Sequence, residues 1–143
     1  MILQDLFRDE SELVTAGPDE TIGAVVEKMD KRNVGAVVVV DDERKVVGIV
    51  TDRDVALALG GNHATLRSPV RQIMTRNVMT IWEDEGIFNA TQYLCGKRVR
   101  RLPVVDHEDR LVGMVTFDDL VAVLARELSN VAQALTPALH ESA

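Results

Sequence analysis

Thr51 and Asp54 stand three residues apart, as do Thr116 and Asp119, and each pair closes the same phrase: glycine, two apolar residues, Thr, two variable residues, Asp. A short carboxylate at the start of a helix accepts charge-assisted hydrogen bonds, and a hydroxyl one turn earlier can bond beside it. The free N–H groups and positive dipole end of such a helix favour an anionic ligand. The same spacing is a variant of the capping box, in which Thr accepts from a backbone N–H and the acid returns the bond. The two roles are compatible, and these residues alone leave both open.

Other chemistry finds little support. His63, His107 and His140 are scattered, and no His or Cys spacing suits zinc. Asp52-Arg53-Asp54 and Asp118-Asp119 could suggest a two-carboxylate hydrolase, but neighbouring Asp residues at a helix start cap it or face solvent, and no nucleophile with an orienting base is visible. A phosphate-cradling Gly-x-x-x-x-Gly-Lys loop is absent. The expectation is a protein that binds without catalysing a reaction, with no metal and no catalytic cofactor.

The 143 residues are 46% apolar but only 3% aromatic, so the core must be built from Val, Leu, Ile, Ala and Met. A formal charge of −7, with basic residues dispersed among acidic ones, argues against a nucleic-acid or anionic-membrane surface. Cys95 cannot form an internal disulfide, and its place on the apolar side of a predicted helix makes it small core filling. The longest apolar run, Ala36 to Val40, is far short of the ~20 residues that cross a membrane, and no secretory signal opens the chain. A cytoplasmic location is expected.

The elements that must position the Thr-Asp pairs occur twice. Gly48 and Gly113, Thr51 and Thr116, and Asp54 and Asp119 are each 65 positions apart, and the same shift aligns 14–59 with 79–124 without a gap. Ile22, Val25, Val26 and Met29, like Ile87, Ala90, Thr91 and Leu94, fall at i, i+3, i+4, i+7 and predict amphipathic helices. The β-branched runs 34–40 and 99–105 predict buried strands. Polar turns at 41–45 and 106–110 lead into second strands at 46–50 and 111–115. There Gly48 and Gly113 imply a bulge or a close approach by another group. Second helices begin after Thr51 and Thr116. The later one continues through Val121, Leu124, Leu128, Val131 and Leu135, a seam too short to define a coiled coil, which should pack on the body or on a twin subunit. Residues 60–69 read as a loop, after which Val70, Ile73 and Met74 form a short apolar turn.

The fold class is therefore α/β (α+β): two βαββα-type repeats related by a pseudo-twofold axis, sheets packed together, helices outside, and equivalent clefts between the repeats. Residues 1–60 form the first repeat with its N-terminal segment, 61–71 a linker, 72–128 the second repeat, and 129–143 a helix end and tail.

Gly35–Asp41, Arg100–Asp106 and the Gly-apolar-apolar-Thr-x-x-Asp endings, in this order and repeated, resemble a tandem pair of CBS domains, or Bateman module, of the stand-alone bacterial type. The resemblance covers about Leu3 to Leu128. It implies a regulatory module that binds an adenosine compound such as AMP, ATP or NAD in the clefts and dimerises. Thr51 with Asp54, and Thr116 with Asp119, would then hold ribose and phosphate, since one carboxylate can accept from both ribose hydroxyls. Arg100 and Arg101 would meet phosphate, with at most one facing a given cleft because strand side chains alternate. Surface charge is the competing reading for both, and for Arg53, which would lean over a phosphate. Val14, Thr15, Ala16, Met79, Thr80 and Ile81 would wall the adenine. The alternative is a ligand-free dimeric module that binds a protein partner, its Thr and Asp residues acting only as caps.

Overall fold

A computed structural model describes residues 13–97 and 100–141. Residues 1–12 of the expected first repeat, Val99 at the predicted start of a strand, and the last two residues of the tail lie outside the described residues. The first repeat runs β1 (Thr15–Ala16), α1 (Ile22–Arg32), β2 (Ala36–Val40), β3 (Val46–Thr51) and α2 (Asp52–Gly60). The second runs β4 (Ile81–Trp82), α3 (Ile87–Lys97), β5 (Arg101–Val105), β6 (Leu111–Thr116) and α4 (Phe117–Glu141). Each gives a three-stranded sheet, β1-β2-β3 and β4-β5-β6, with one parallel and one antiparallel pairing. The predicted order of elements and the mixed α+β class are both observed.

Local chemistry accounts for the elements. Thr21 caps α1 by accepting from the Ala24 N–H at 3.1 Å, and Asn33 ends it in the left-handed conformation, φ 52°. Ile22, Val25 and Met29 bury the predicted face against Val37 and Val39. Val38, on the opposite face of the strand, is just as fully buried, so the sheet is covered on both sides. Leu102 and Val104 meet Ala90 and Leu94 in the second core. A bridge between Lys45 and Arg110, with the Leu111 N–H donating to the Arg44 carbonyl at 2.9 Å, ties the sheets at their turns.

The turns share one design. Asp41 Oδ1 accepts from the Glu43 and Lys45 N–H groups, both at 2.9 Å, and Asp106 Oδ1 accepts from those of Glu108 and Arg110. Arg44 and Asp109, 65 positions apart, take φ of 63° and 64°. Beyond each turn the pairing slips by one residue: Val39 faces Gly48 but Val40 faces Val46, and Val104 faces Gly113 but Val105 faces Leu111. These are the bulges that the glycines imply. Gly48 also meets a neighbour, because a Cβ there would lie 2.5 Å from Met74 Sδ and 2.8 Å from its Cγ.

The segment joining the repeats is docked on the first of them. Ser68 and Leu66 carbonyls accept from the Ile22 and Gly23 N–H groups at the open end of α1, both at 2.9 Å, and Val70 is fully buried in the first core. Ile49 and Thr75 bridge in both directions, which brings Met74 over Gly48. One expectation is corrected and another is narrowed to its second arm, the twin subunit. Cys95 is exposed, because Ala90 and Leu94 take the inward face of α3 and the next residue turns about 100° away. The α4 seam does not pack on the described body, for Val121, Leu124, Leu128, Val131 and Leu135 are all exposed.

Candidate functional site

Both Thr-Asp pairs form the reciprocal cap. Asp54 Oδ2 accepts from the Thr51 N–H at 2.9 Å while Thr51 Oγ1 accepts from the Asp54 N–H at 3.2 Å. In the second repeat both bonds are 3.1 Å, between Thr116 and Asp119. The preceding strand delivers each pair to the start of its helix, and a bond back to the neighbouring strand's entry fixes the corner: Asp52 N–H to the Gly35 carbonyl at 3.0 Å, Phe117 N–H to the Arg100 carbonyl at 2.8 Å. In each cap only one carboxylate oxygen is engaged, by the threonine N–H. A carboxylate offers about four lone-pair sites, so capping leaves acceptor capacity for a ligand.

The second pair opens into a cleft of about 220 Å³ between the repeats. Thr116, Asp119, Met114 and Arg101 come from the second repeat; Val14, Val34, Gly35 and Ala36 face them from the first. One wall is therefore apolar and close to backbone, while the other carries a hydroxyl, a carboxylate and a guanidinium. Gly35 leaves room where its neighbours come close, since a Cβ there would lie 3.3 Å from Asp52 Oδ2 and 3.7 Å from Arg101 Nη2. A smaller pocket of about 80 Å³ adjoins it, lined by Arg100, Arg101, Thr116, Phe117 and Asp118. There Arg100 sits 3.6 Å from Asp118 and 5.6 Å from the centre of the Phe117 ring.

The residues singled out from the sequence fall into different places. Thr116, Asp119, Arg101 and Val14 share the larger cleft, and Arg100 joins Arg101 in the smaller pocket. Thr51 and Asp54 do not line the larger cleft, and Arg53 is exposed, its N–H donating to Asp52 Oδ1 at 2.8 Å. Ala16 and Ile81 are buried in the two cores. The Thr15 carbonyl accepts from Lys28 Nζ at 2.8 Å; Met79 packs on the second core and Thr80 is half-buried beside it. Sequence reading missed Leu13, Val34, Gly35, Ala36 and Met114 as lining residues. Met114 was within reach, because it lies two positions before Thr116 on the same face of β6. Among the described residues no group of His, Cys, Asp or Glu is arranged to hold a metal ion, and no helix is long and apolar enough to cross a membrane.

A duplicated α+β unit with a polar cleft at its pseudo-twofold seam defines the class. The profile of the CBS domain matches residues 5–61 and 70–126, and the chain belongs to that family. It is 31% identical over 132 residues to the CBS domain-containing protein YhcV of Bacillus subtilis, covering 92% of both. Among solved structures it is similar to the CBS domain pair of protein MJ0100 in complex with 5′-methylthioadenosine and S-adenosyl-L-methionine, with 30% identity, TM-score 0.77, and 89% and 98% of the two chains covered. It is similar also to CBSX2 of Arabidopsis thaliana in complex with AMP, with 25% identity, TM-score 0.77, and 87% and 96% covered. The chain spans between 21% and 64% of the length of the first curated relatives it matches, an inosine-5′-monophosphate dehydrogenase of Methanocaldococcus jannaschii among them.

Proposed function

We propose that this chain is a regulatory module that binds AMP, ATP or an NAD-type ligand between its repeats. It acts as a cytoplasmic signal sensor and catalyses no reaction itself. As a homodimer it passes occupancy on to a protein partner. The observation that carries this reading is the convergence of Thr116, Asp119 and Arg101 opposite the apolar Val14–Ala36 wall in one cleft. Asp119 would accept from the ribose hydroxyls, Arg101 would face phosphate, and the apolar wall would cover the base. At about 220 Å³ the cleft is below the usual ligand-pocket range of about 300–1,000 Å³. That favours a mononucleotide over NAD, with further phosphates reaching toward Arg100. The adenosine compounds in the MJ0100 and CBSX2 complexes support the ligand class.

Thermal unfolding of ligand-free protein tests it. AMP at 100 times its dissociation constant should add about 2.7 kcal/mol of stability. Asp119→Ala should abolish that gain at the cleft it lines. No shift with AMP, ATP or NAD overturns the reading.

The formation of both capping boxes favours a second reading, a ligand-free dimeric interaction module. Under it, Asp54→Ala and Asp119→Ala each cost roughly 1 kcal/mol and change no affinity for a nucleotide.

A further inference from the structure

The cleft at Thr116 runs sideways into the smaller pocket, and the two share Thr116 and Arg101. A nucleotide with its base on the apolar wall would send its phosphates across that boundary, toward Arg100. Arg100 is already engaged: its Nη2 stands 3.6 Å from Asp118 Oδ1, and its guanidinium lies 5.6 Å from the centre of the Phe117 ring. Arg101 has a carboxylate near it too, because Asp52 Oδ2 from the first repeat and Arg101 Nη2 from the second come close to Gly35 together. Among the described residues, two guanidiniums therefore share one opening with three carboxylates, those of Asp52, Asp118 and Asp119. A site that draws in a polyphosphate carries an excess of positive charge, and this one does not.

We infer that Asp118 sets the charge preference of the cleft, so that it takes adenosine monophosphate ahead of the triphosphate. The inference rests on the nucleotide reading above and narrows it to one ligand class and one residue. AMP carries about two negative charges at neutral pH, and each further phosphate adds about one more, placed farther along toward Asp118. The first phosphate meets Arg101. Those beyond it must draw Arg100 off Asp118 and then lie beside a carboxylate that has lost its partner, where like charges repel. Helix capping does not account for Asp118, since Asp119 makes the reciprocal cap of α4. Nor does the repeat: the matching residue of the first copy is Arg53, of opposite charge.

Isothermal titration of the ligand-free full chain with adenosine, AMP and ATP in magnesium-free buffer tests it. AMP should bind about tenfold more tightly than ATP. Asp118→Asn should tighten ATP by about fivefold, AMP by less than about twofold, and uncharged adenosine not at all. Asp118→Arg should bring ATP level with AMP or ahead of it. Glu127→Gln, the same loss of charge on an exposed part of α4, should change none of the three, which separates a local effect from one of net charge. Equal binding of AMP and ATP by the unaltered chain, or a ratio between them that Asp118→Asn leaves as it was, overturns the inference while the nucleotide reading stands. If none of the three binds, both fall.

Discussion

A single methyl group separates Gly48 from alanine, and Met74 fills the place that methyl would take. In Gly48→Ala the added Cβ meets Met74 Cγ and Cβ as well as its mobile sulfur, so the substitution should lower unfolding stability by about 1–3 kcal/mol. Adding Met74→Ala should recover part of that loss, which chemical denaturation can measure. The glycine and its bulge were legible from the sequence; the identity of the intruder was not, because Met74 belongs to the connecting segment and arrives only through tertiary docking. Cys95 shows the opposite error, a helix face judged one residue too wide. His107 makes a separate prediction. Its Nε2 lies 2.8 Å from Asp84 Oδ2 beside the Trp82 ring, and the hydrogen bond and then the charge of Asp84 raise its pKa above 6.5. The pair's contribution to folding is therefore complete below 6.5 and is lost as pH rises through the elevated value. Proton NMR should find the His107 midpoint above the ordinary one, and Asp84→Asn should bring it down.

At the scale of elements, the repeat made most of the fold readable. Helices α1 and α3 appear where the 3.6-residue period placed them, and the strand pairs where β-branched runs flank polar turns. Those turns are held by one carboxylate each, which satisfies two backbone donors and tolerates a left-handed residue that is not glycine. Asp41→Ala removes both bonds and should cost about 1–2 kcal/mol, visible as a lower thermal midpoint. The length of α4 was less legible. Its apolar spacing marked a seam, but spacing alone does not say whether a seam faces its own body or stands clear of it, and that is settled by where burial along α4 stops, at Val123.

For the molecule as a whole, duplication announced a pair of related clefts and supplied Thr116 and Asp119, while the family resemblance supplied Arg101, whose counterpart in the first repeat is Ala36. The facing wall was harder to foresee, because the cleft is assembled across the repeats and residues such as Val34 and Leu13 meet it only after the sheets associate. Ala16, read as part of that wall, is instead consumed by the first core. The unequal lengths of the two terminal helices have a mechanical result. The first repeat's capped helix, Asp52–Gly60, stops after nine residues, whereas its counterpart continues for 25. A pivot of about 5° at Asp119 would sweep the far tip through roughly 3 Å over its ~37 Å length, while the same pivot at Asp54 moves the short helix's end by only about 1 Å. Of two similarly capped helix starts, one carries a long arm and the other a stub.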